Sequence, residues 1–168
     1  MLARTTIHDT RELFVHRLGA ALTMEVAVEE LLGELVEQAD DVELRRRLRR
    51  HREETHAHIR NLVHAFSALG KEPERQPCPV VIGIIKNQWA LLGTSDDSLR
   101  DHVILTGVAA TEHHEIAVYE SLIATAGAMG QEDVVALLAE NLDQETHMLG
   151  EVLRATGELS RPRLAGPH

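Results

Sequence analysis

Apolar residues recur at steps of three and four along four long segments of this 168-residue chain, which is the spacing of an amphipathic α-helix. The segments run from about residue 9 to 38, 41 to 69, 97 to 127 and 131 to 155. Because apolar stripes of this kind must be buried against one another, the sequence predicts an all-α bundle of four long helices. The fourth helix is expected to end at Gly157, with a core stripe formed by Val135, Leu138, Leu142, Leu149 and Leu153.

The connection between the second and third helices is much longer than the other two. Its first half, residues 71–79, is rich in proline, and its second half, Val80 to Leu92, is apolar enough to predict a short buried helix. A long crossover in the middle of four helices is typical of ferritin-like bundles. We therefore expect a ferritin-like four-helix bundle in which the crossover contains a short fifth helix. Residues 1–157 are expected to form one domain, and residues 158–168 a disordered tail.

Charge and composition exclude several classes of function. The formal net charge of −10 disfavours nucleic acid as a partner. No apolar run is long enough to span a membrane, and the N-terminal residues lack the apolar segment of a signal peptide, so the cytoplasm is the expected location.

A short motif occurs twice and suggests that one site has been built from two similar halves. Glu54-Thr55-His56 recurs as Glu145-Thr146-His147, and Glu25 and Glu112 lie at similar distances before them, in the preceding helices. Helical bundles make two-metal centres from carboxylates arranged in this way. The repeat therefore predicts a paired site at the centre of the bundle.

Helical geometry indicates which polar side chains face inward, given a rotation of about 100° per residue. Glu53, His56, Gln144 and His147 are predicted to face outward or to the flank. The predicted inward set consists of Glu25, His51, Glu54, His58, Glu112 and Glu145, with Glu115 at the edge of the third stripe. Tyr119 is interpreted as a packing residue, although a tyrosine beside a metal is also able to donate a hydrogen bond to a ligand. Each of the four helices thus contributes at least one inward carboxylate.

Buried carboxylates must be protonated, paired with cations or bound to metal, because an isolated buried charge costs several kcal/mol or more. Iron or manganese suits a mixed set of Glu and His ligands without thiolates, and zinc is expected to bind in vitro. In the alternative interpretation, His51 and His58, together with Arg47, pair with the acids in a polar network that holds no metal. The residues alone leave both interpretations open.

Three motifs carry a resemblance to a known family. HREETHAHI at 51–59, EHHEIAVY at 112–119 and the segment from Phe14 to Glu25 resemble the YciF-type proteins, which are bacterial stress-associated members of the ferritin-like superfamily. The chain departs from the family pattern at Gln144, Leu149, Ala20 and Leu22. The resemblance implies di-metal carboxylates at Glu25, Glu54, Glu112 and Glu145, with His51, His113 and Glu115 as motif companions.

Two functions follow from this resemblance and from the inward residues. The first is a di-iron or mixed-metal oxidoreductase, similar to a ferroxidase, that reacts with oxygen or peroxide. In that case Glu54 and Glu145 bridge the metals, Glu25 and Glu112 are terminal ligands, and His58 supplies a nitrogen to one ion. The second is a non-enzymatic structural or stress protein whose Glu/His network binds no metal. Exposed apolar surface on the crossover helix favours a homodimer or a higher homo-oligomer.

The two halves of the repeat are also expected to bind metal unequally. His51 and His58 on the second helix correspond to Leu142 and Leu149 on the fourth. One half is therefore expected to have inward imidazoles and the other half none, which predicts one strong and one weak metal position. His113 is the residue expected to compensate if it turns inward.

Overall fold

The computed structural model describes residues 6–161 and contains five α-helices, with no strand in that range. A short 3-10 turn, Asp97–Leu99, precedes the fourth helix. The helices are α1 (Thr10–Gln38), α2 (Val42–Ala68), α3 (Pro79–Thr94), α4 (Arg100–Ala128) and α5 (Glu132–Leu159). The predicted all-α fold with a fifth helix in the crossover is confirmed. None of the described helices has both the length and the apolarity needed to cross a membrane.

Local sequence signals fix the ends of the first two helices. The carboxylates of Asp9 and Asp41 accept hydrogen bonds from the first-turn amides of Glu12 and Leu44, both at 2.8 Å, and so cap α1 and α2. Gly70 adopts a φ of +67° just after α2, a conformation that favours glycine at a helix end. Only three residues separate the end of α1 at Gln38 from the start of α2 at Val42, and Asp41 is the last of them, so the two helices run antiparallel.

The four long helices pack as two neighbouring pairs around one core. α1 lies along α2 and α4 along α5, while α2 also meets α5 and α1 also meets α4. The largest buried side chains come from three of these helices and include Phe14, Leu32, Leu48, Phe66 and Leu122. This arrangement turns one face of each long helix toward a common axis, where the polar residues described below meet.

The crossover is held against α1 by a close backbone contact. The amide of Gln76 donates to the carbonyl oxygen of Gly19 at 3.1 Å, and a Cβ at position 19 would collide with the carbonyl oxygen of Glu74. Glycine is therefore required where the crossover passes α1. Beyond it, α3 packs on α4 and touches α1.

Two expectations about the helices are wrong. The fifth helix was expected to be buried, but only Val81 and Gln88 of α3 are, because α3 covers the outside of α4 along one edge. The inward line of α5 is shifted by one residue from the predicted stripe, and Leu153 is 50% exposed. The buried residues of α5 are Val134, Leu138, Asn141, Glu145, Met148 and Val152. An apolar pattern misses this line because two of its members are polar.

The C-terminal end of α5 also differs from the prediction. α5 continues through Gly157 to Leu159, so this glycine does not end the helix. Glycine lowers helix stability by only about 1 kcal/mol, which the flanking helical residues offset. The predicted tail falls mainly on residues 162–168, which lie outside the described residues.

Candidate metal centre

Six ionisable side chains meet inside the bundle, and each is 0% exposed. They are Glu25 on α1, His51 and His58 on α2, Glu112 and Glu115 on α4, and Glu145 on α5. They face inward because each lies in line with the buried residues of its helix, at steps of three or four. The predicted inward placement of these residues is confirmed, and Glu115 is more buried than its edge position indicated.

Glu145 lies between the two histidines and directs one carboxylate oxygen toward each. Its Oε1 is 2.8 Å from Nδ1 of His58, and its Oε2 is 3.6 Å from Nε2 of His51. Two groups of potential metal ligands therefore share this residue.

Each group is completed by a second carboxylate. In the first, Oε2 of Glu25 is 3.5 Å from Nδ1 of His58. In the second, Oε1 of Glu112 is 3.0 Å from Nε2 of His51. The three ligating atoms of each group lie within 4.8 Å of one another, a spacing that allows them to hold one ion.

The division of the histidines corrects one expectation from the sequence. His51 and His58 both come from α2, but they belong to different groups and supply one imidazole to each. They lie seven residues apart, which is about two helical turns, so they reach two successive levels of the bundle. The expectation that one half of the site lacks an imidazole is therefore wrong.

Many atoms of the cluster lack a hydrogen-bond partner despite being buried. They are Oε2 of Glu25, Oε2 of Glu112, both carboxylate oxygens of Glu115 and Glu145, and Nδ1 of His58. Nδ1 of His58 is close to Glu145, but the direction between them is wrong for a hydrogen bond. Unsatisfied buried polar atoms are uncommon in proteins and point to a missing partner.

Burial and mutual proximity change the proton affinity of these groups. Burial raises the pKa of Glu25 and raises those of Glu112 and Glu115 further. Burial opposes protonation of His58, but Glu145 and Glu25 outweigh it and raise its pKa to about 10. Without metal, protons therefore neutralise most of the cluster.

Burial and neighbouring charges also determine the pKa values of His51 and Glu145. Burial opposes protonation of His51, yet the adjacent Glu112 outweighs it and raises the pKa of His51 well above its ordinary value. Burial also disfavours ionised Glu145, but the two histidines outweigh it and lower its pKa to about 2. The carboxylate at the centre of the cluster is thus the one that stays ionised.

A chain of hydrogen bonds supports Glu25 from the far side of the bundle. The hydroxyl of Tyr119 donates to Oε1 of Glu25 and accepts from Nδ2 of Asn141 at 3.0 Å. Oδ1 of Asn141 accepts in turn from Asn61 at 2.8 Å. From its sequence pattern Tyr119 was interpreted mainly as a packing residue, and Asn141 was not identified. The available signal was spacing, because Asn141 lies four residues before Glu145 and so shares its side of the helix.

Each histidine has a second polar partner on the ring edge that faces away from Glu145. Nδ1 of His51 lies 3.3 Å from Oε2 of Glu54, and Nε2 of His58 lies 2.8 Å from Oε1 of Gln144. Gln144 was expected to face outward, but it is half-buried and its long side chain reaches back to His58. Glu54 is 28% exposed and lies at the edge of the cluster, not within either group of ligands.

The remaining motif residues lie on the surface. His56 and His147 are exposed beside Glu29 and Glu151, as the helical geometry predicted. His113 is exposed as well, so the expectation that it joins the site is not met. Its position one residue after Glu112 turns it by about 100° away from the bundle axis.

The donor set of the cluster suits a hard or borderline divalent ion. It offers carboxylate oxygens and imidazole nitrogens without a thiolate, and the atoms without hydrogen-bond partners face one another. Iron and manganese bind such mixed sets, and zinc also accepts them. The residues present therefore fit a pair of metal ions.

Comparison with known proteins places the chain in a family. The model of the domain of unknown function DUF892 matches residues 9–164. Protein YciF of Escherichia coli (strain K12) is 27% identical over 142 residues, which cover 83% of this chain and 84% of that protein.

Solved structures agree with this placement. YcfI from Rhodopseudomonas palustris has a TM-score of 0.86 and is 32% identical, over 91% of this chain and 98% of that one. The E. coli stress protein YciF has the same TM-score at 22% identity, over 91% and 98% of the two chains. A protein from Xanthomonas campestris pv. campestris has a TM-score of 0.68 at 23% identity, over 90% and 93%. The chain therefore belongs to the DUF892 family and is a YciF-type protein.

Proposed function

We propose that this protein binds two metal ions, iron or manganese, at the centre of its bundle. One observation carries the proposal: the two oxygens of Glu145 face two different histidines and have no hydrogen-bond partner. A buried carboxylate in this position is stabilised when each oxygen binds a cation. Two ions sharing Glu145 satisfy this requirement.

The ligands of the two ions follow from the two groups. Glu25 and His58 hold one ion, His51 and Glu112 hold the other, and Glu145 is common to both. Glu115 is a further buried acid whose oxygens have no hydrogen-bond partner, and it lies close enough to Glu145 and Glu25 to interact with them. The surrounding apolar residues exclude bulk water, which strengthens each interaction within the site.

Two bound redox-active ions would supply one-electron steps to an oxidant such as oxygen or peroxide. The chain itself orients the ligands, keeps water out and holds protons that are released when metal binds. The E. coli relative YciF is a stress protein, and the redox chemistry of such ions is our reason for extending the proposal to oxidative stress. Ferroxidase-like oxidation of Fe²⁺ is the activity to test.

The alternative is a non-enzymatic bundle in which protons take the place of metal. The raised pKa of His58, about 10, favours this state when metal is absent, because a charged imidazole then faces Glu145 and Glu25. Such a network would fix the register of α2 against α1 and α5. Buried polar groups have this role in some proteins.

Titration of Mn²⁺ into metal-free protein, followed by Fe²⁺ oxidation under air, separates the two functions. Glu145→Gln should abolish or greatly weaken binding at both positions, because both share this residue. Glu140→Gln is the matched control, since Glu140 lies on the same helix and is exposed. Circular dichroism confirms folding of both variants. If wild type binds no metal, the structural alternative is correct. If Glu145→Gln binds metal as wild type does, the metal lies elsewhere and the proposed centre is wrong.

The proposal also includes self-assembly through α3. Several large apolar side chains on this helix are exposed, among them Val80 at 56%, Ile82 at 40% and Leu91 at 44%. Exposed apolar clusters mark interaction surfaces more often than isolated exposed residues do. A homodimer or a higher homo-oligomer that covers α3 would bury them.

A further inference from the structure

The two histidines of the candidate centre differ in the group that supports them from behind. A carboxylate, Glu54, contacts His51, and a neutral amide, Gln144, contacts His58. We propose that Glu54 and Gln144 are positioning residues, and that this difference in charge makes the position beside His51 the tighter metal site. This inference rests on the proposed metal pair and concerns how its two halves differ.

The geometry places Glu54 outside the set of ligands. Nδ1 of His51 faces Oε2 of Glu54 at 3.3 Å, whereas Nε2 faces Oε1 of Glu112 at 3.0 Å. These nitrogens lie on opposite edges of the ring, so a metal held by Nε2 is out of reach of Glu54. Because a carboxylate only accepts hydrogen bonds, Nδ1 carries the proton and Nε2 is left to bind metal.

The other oxygen of Glu54 also has a cationic neighbour. Its Oε1 lies 3.7 Å from Nε of Arg50, and Arg50 also pairs with Glu151. Both oxygens of Glu54 are therefore directed to groups other than the metal pair. Attraction to Arg50 holds the carboxylate in place against His51.

Gln144 supports His58 in the opposite ring orientation. Its Oε1 accepts from Nε2 of His58 at 2.8 Å, which leaves Nδ1 facing Glu145 and Glu25. The two metals are therefore held by different ring nitrogens, Nε2 of His51 and Nδ1 of His58. The amide carries no net charge, so it orients the ring of His58. Unlike a carboxylate, it does not add electron density to that ring.

A carboxylate behind a metal-binding imidazole raises the basicity of the ligand, and loss of such a partner typically lowers metal affinity about 10- to 100-fold. The position of His51, Glu112 and Glu145 should therefore fill first. The position of Glu25, His58 and Glu145 should fill second and exchange its ion more readily.

Exchanging the two supporting groups tests this inference. Glu54→Gln should weaken the first Co²⁺ binding step about 10- to 100-fold, and Gln144→Glu should strengthen the second step. The double variant Glu54→Gln/Gln144→Glu should reverse the filling order while leaving the formal net charge unchanged. Glu53→Gln and Thr146→Glu are the matched controls, because each makes the same charge change at an exposed neighbouring position.

Proton NMR of the Co²⁺-loaded protein gives a readout independent of activity. Each metal-bound imidazole has one exchangeable ring N–H that the paramagnetic ion shifts, on Nδ1 of His51 and on Nε2 of His58. The first equivalent of Co²⁺ should shift the His51 proton in wild type and the His58 proton in the double variant. If Glu54→Gln does not fold, Gln144→Glu alone must still raise the second affinity.

The outcomes distinguish failure of this inference from failure of the proposed function. Two equal affinities in wild type, or an unchanged filling order in the double variant, would overturn the inference while leaving a two-metal centre. Absence of Co²⁺ binding in wild type would overturn both. Equal effects of Glu53→Gln and Glu54→Gln would show that the change reflects overall charge, and would also overturn the inference.

Discussion

Tyr119 of α4 donates a hydrogen bond to Glu25 of α1 across the fully buried centre of the bundle. Removing this hydroxyl in Tyr119→Phe should lower the free energy of unfolding by about 1–3 kcal/mol, because it leaves a buried oxygen of Glu25 without a donor. Denaturant unfolding of metal-free protein measures this loss. Metal affinity should fall only at the position that contains Glu25 and His58. A stability equal to that of wild type would show that the hydrogen bond does not hold Glu25.

Metal binding should release protons at neutral pH. Burial raises the pKa of Glu112 and Glu115, and although it opposes protonation of His58, the adjacent carboxylates raise that pKa to about 10. A metal binds only the deprotonated groups, so the apparent affinity should increase with pH. Calorimetry in buffers with different ionisation enthalpies counts the protons released. A metal affinity that does not change between pH 6 and 8 would show that metal does not displace protons from these groups.

The metal-free protein should become less stable as pH rises above neutrality. The pKa of His58 is raised from 6.5 to about 10, so its contribution is complete below pH 6.5 and is lost as pH approaches 10. The pKa of Glu145 is lowered from 4.5 to about 2, so its contribution is complete above pH 4.5 and is lost below that value.

Thermal unfolding with a chelator present should therefore give the highest midpoint in mildly acidic solution. Addition of Mn²⁺ should restore stability at higher pH, because the ion replaces the lost protons. A metal-free protein that is most stable near pH 9 would contradict the assigned protonation of the cluster.

The exposed apolar side chains of α3 should control self-assembly. Val80→Glu combined with Leu91→Glu places charge on side chains that are 56% and 44% exposed and lie on the same side of α3, so it should dissociate a dimer without unfolding the bundle. Light scattering after size-exclusion chromatography reports the molar mass. Val42→Glu is the control, because Val42 is 73% exposed at the start of α2. A wild-type monomer at all concentrations would refute assembly through α3.

Helical periodicity predicted the helices and the inward acids, because both follow from the pattern of apolar residues within each single helix. Glu112 and Glu145 face the axis whichever neighbour their helix packs against. The same reasoning failed for Gln144, since a long side chain at the flank can turn back to reach a buried ring. It also assigned both imidazoles to one half of the site. Matching the two repeats position by position does not take into account that His51 and His58 lie two helical turns apart along α2.

The contacts of a side chain at the edge of a helix depend on how the helices pack together, which the pattern of a single helix does not show. Glu54 lies at the inner edge of α2, where a small rotation of the helix would turn its side chain either toward the bundle axis or toward solvent. Its contacts with His51 and Arg50 hold it at the edge of the cluster. The shifted inward line of α5 has a similar cause. Asn141 and Glu145 are polar residues that occupy core positions. A stripe drawn through the neighbouring leucines therefore predicted the wrong inward face for α5.

Anomalous diffraction from crystals loaded with Mn²⁺ tests the two-metal centre most directly. We predict two peaks on either side of the Glu145 carboxylate, one beside Nε2 of His51 and one beside Nδ1 of His58. Their absence after loading, or peaks confined to surface residues such as His56 and His113, would contradict the proposed centre.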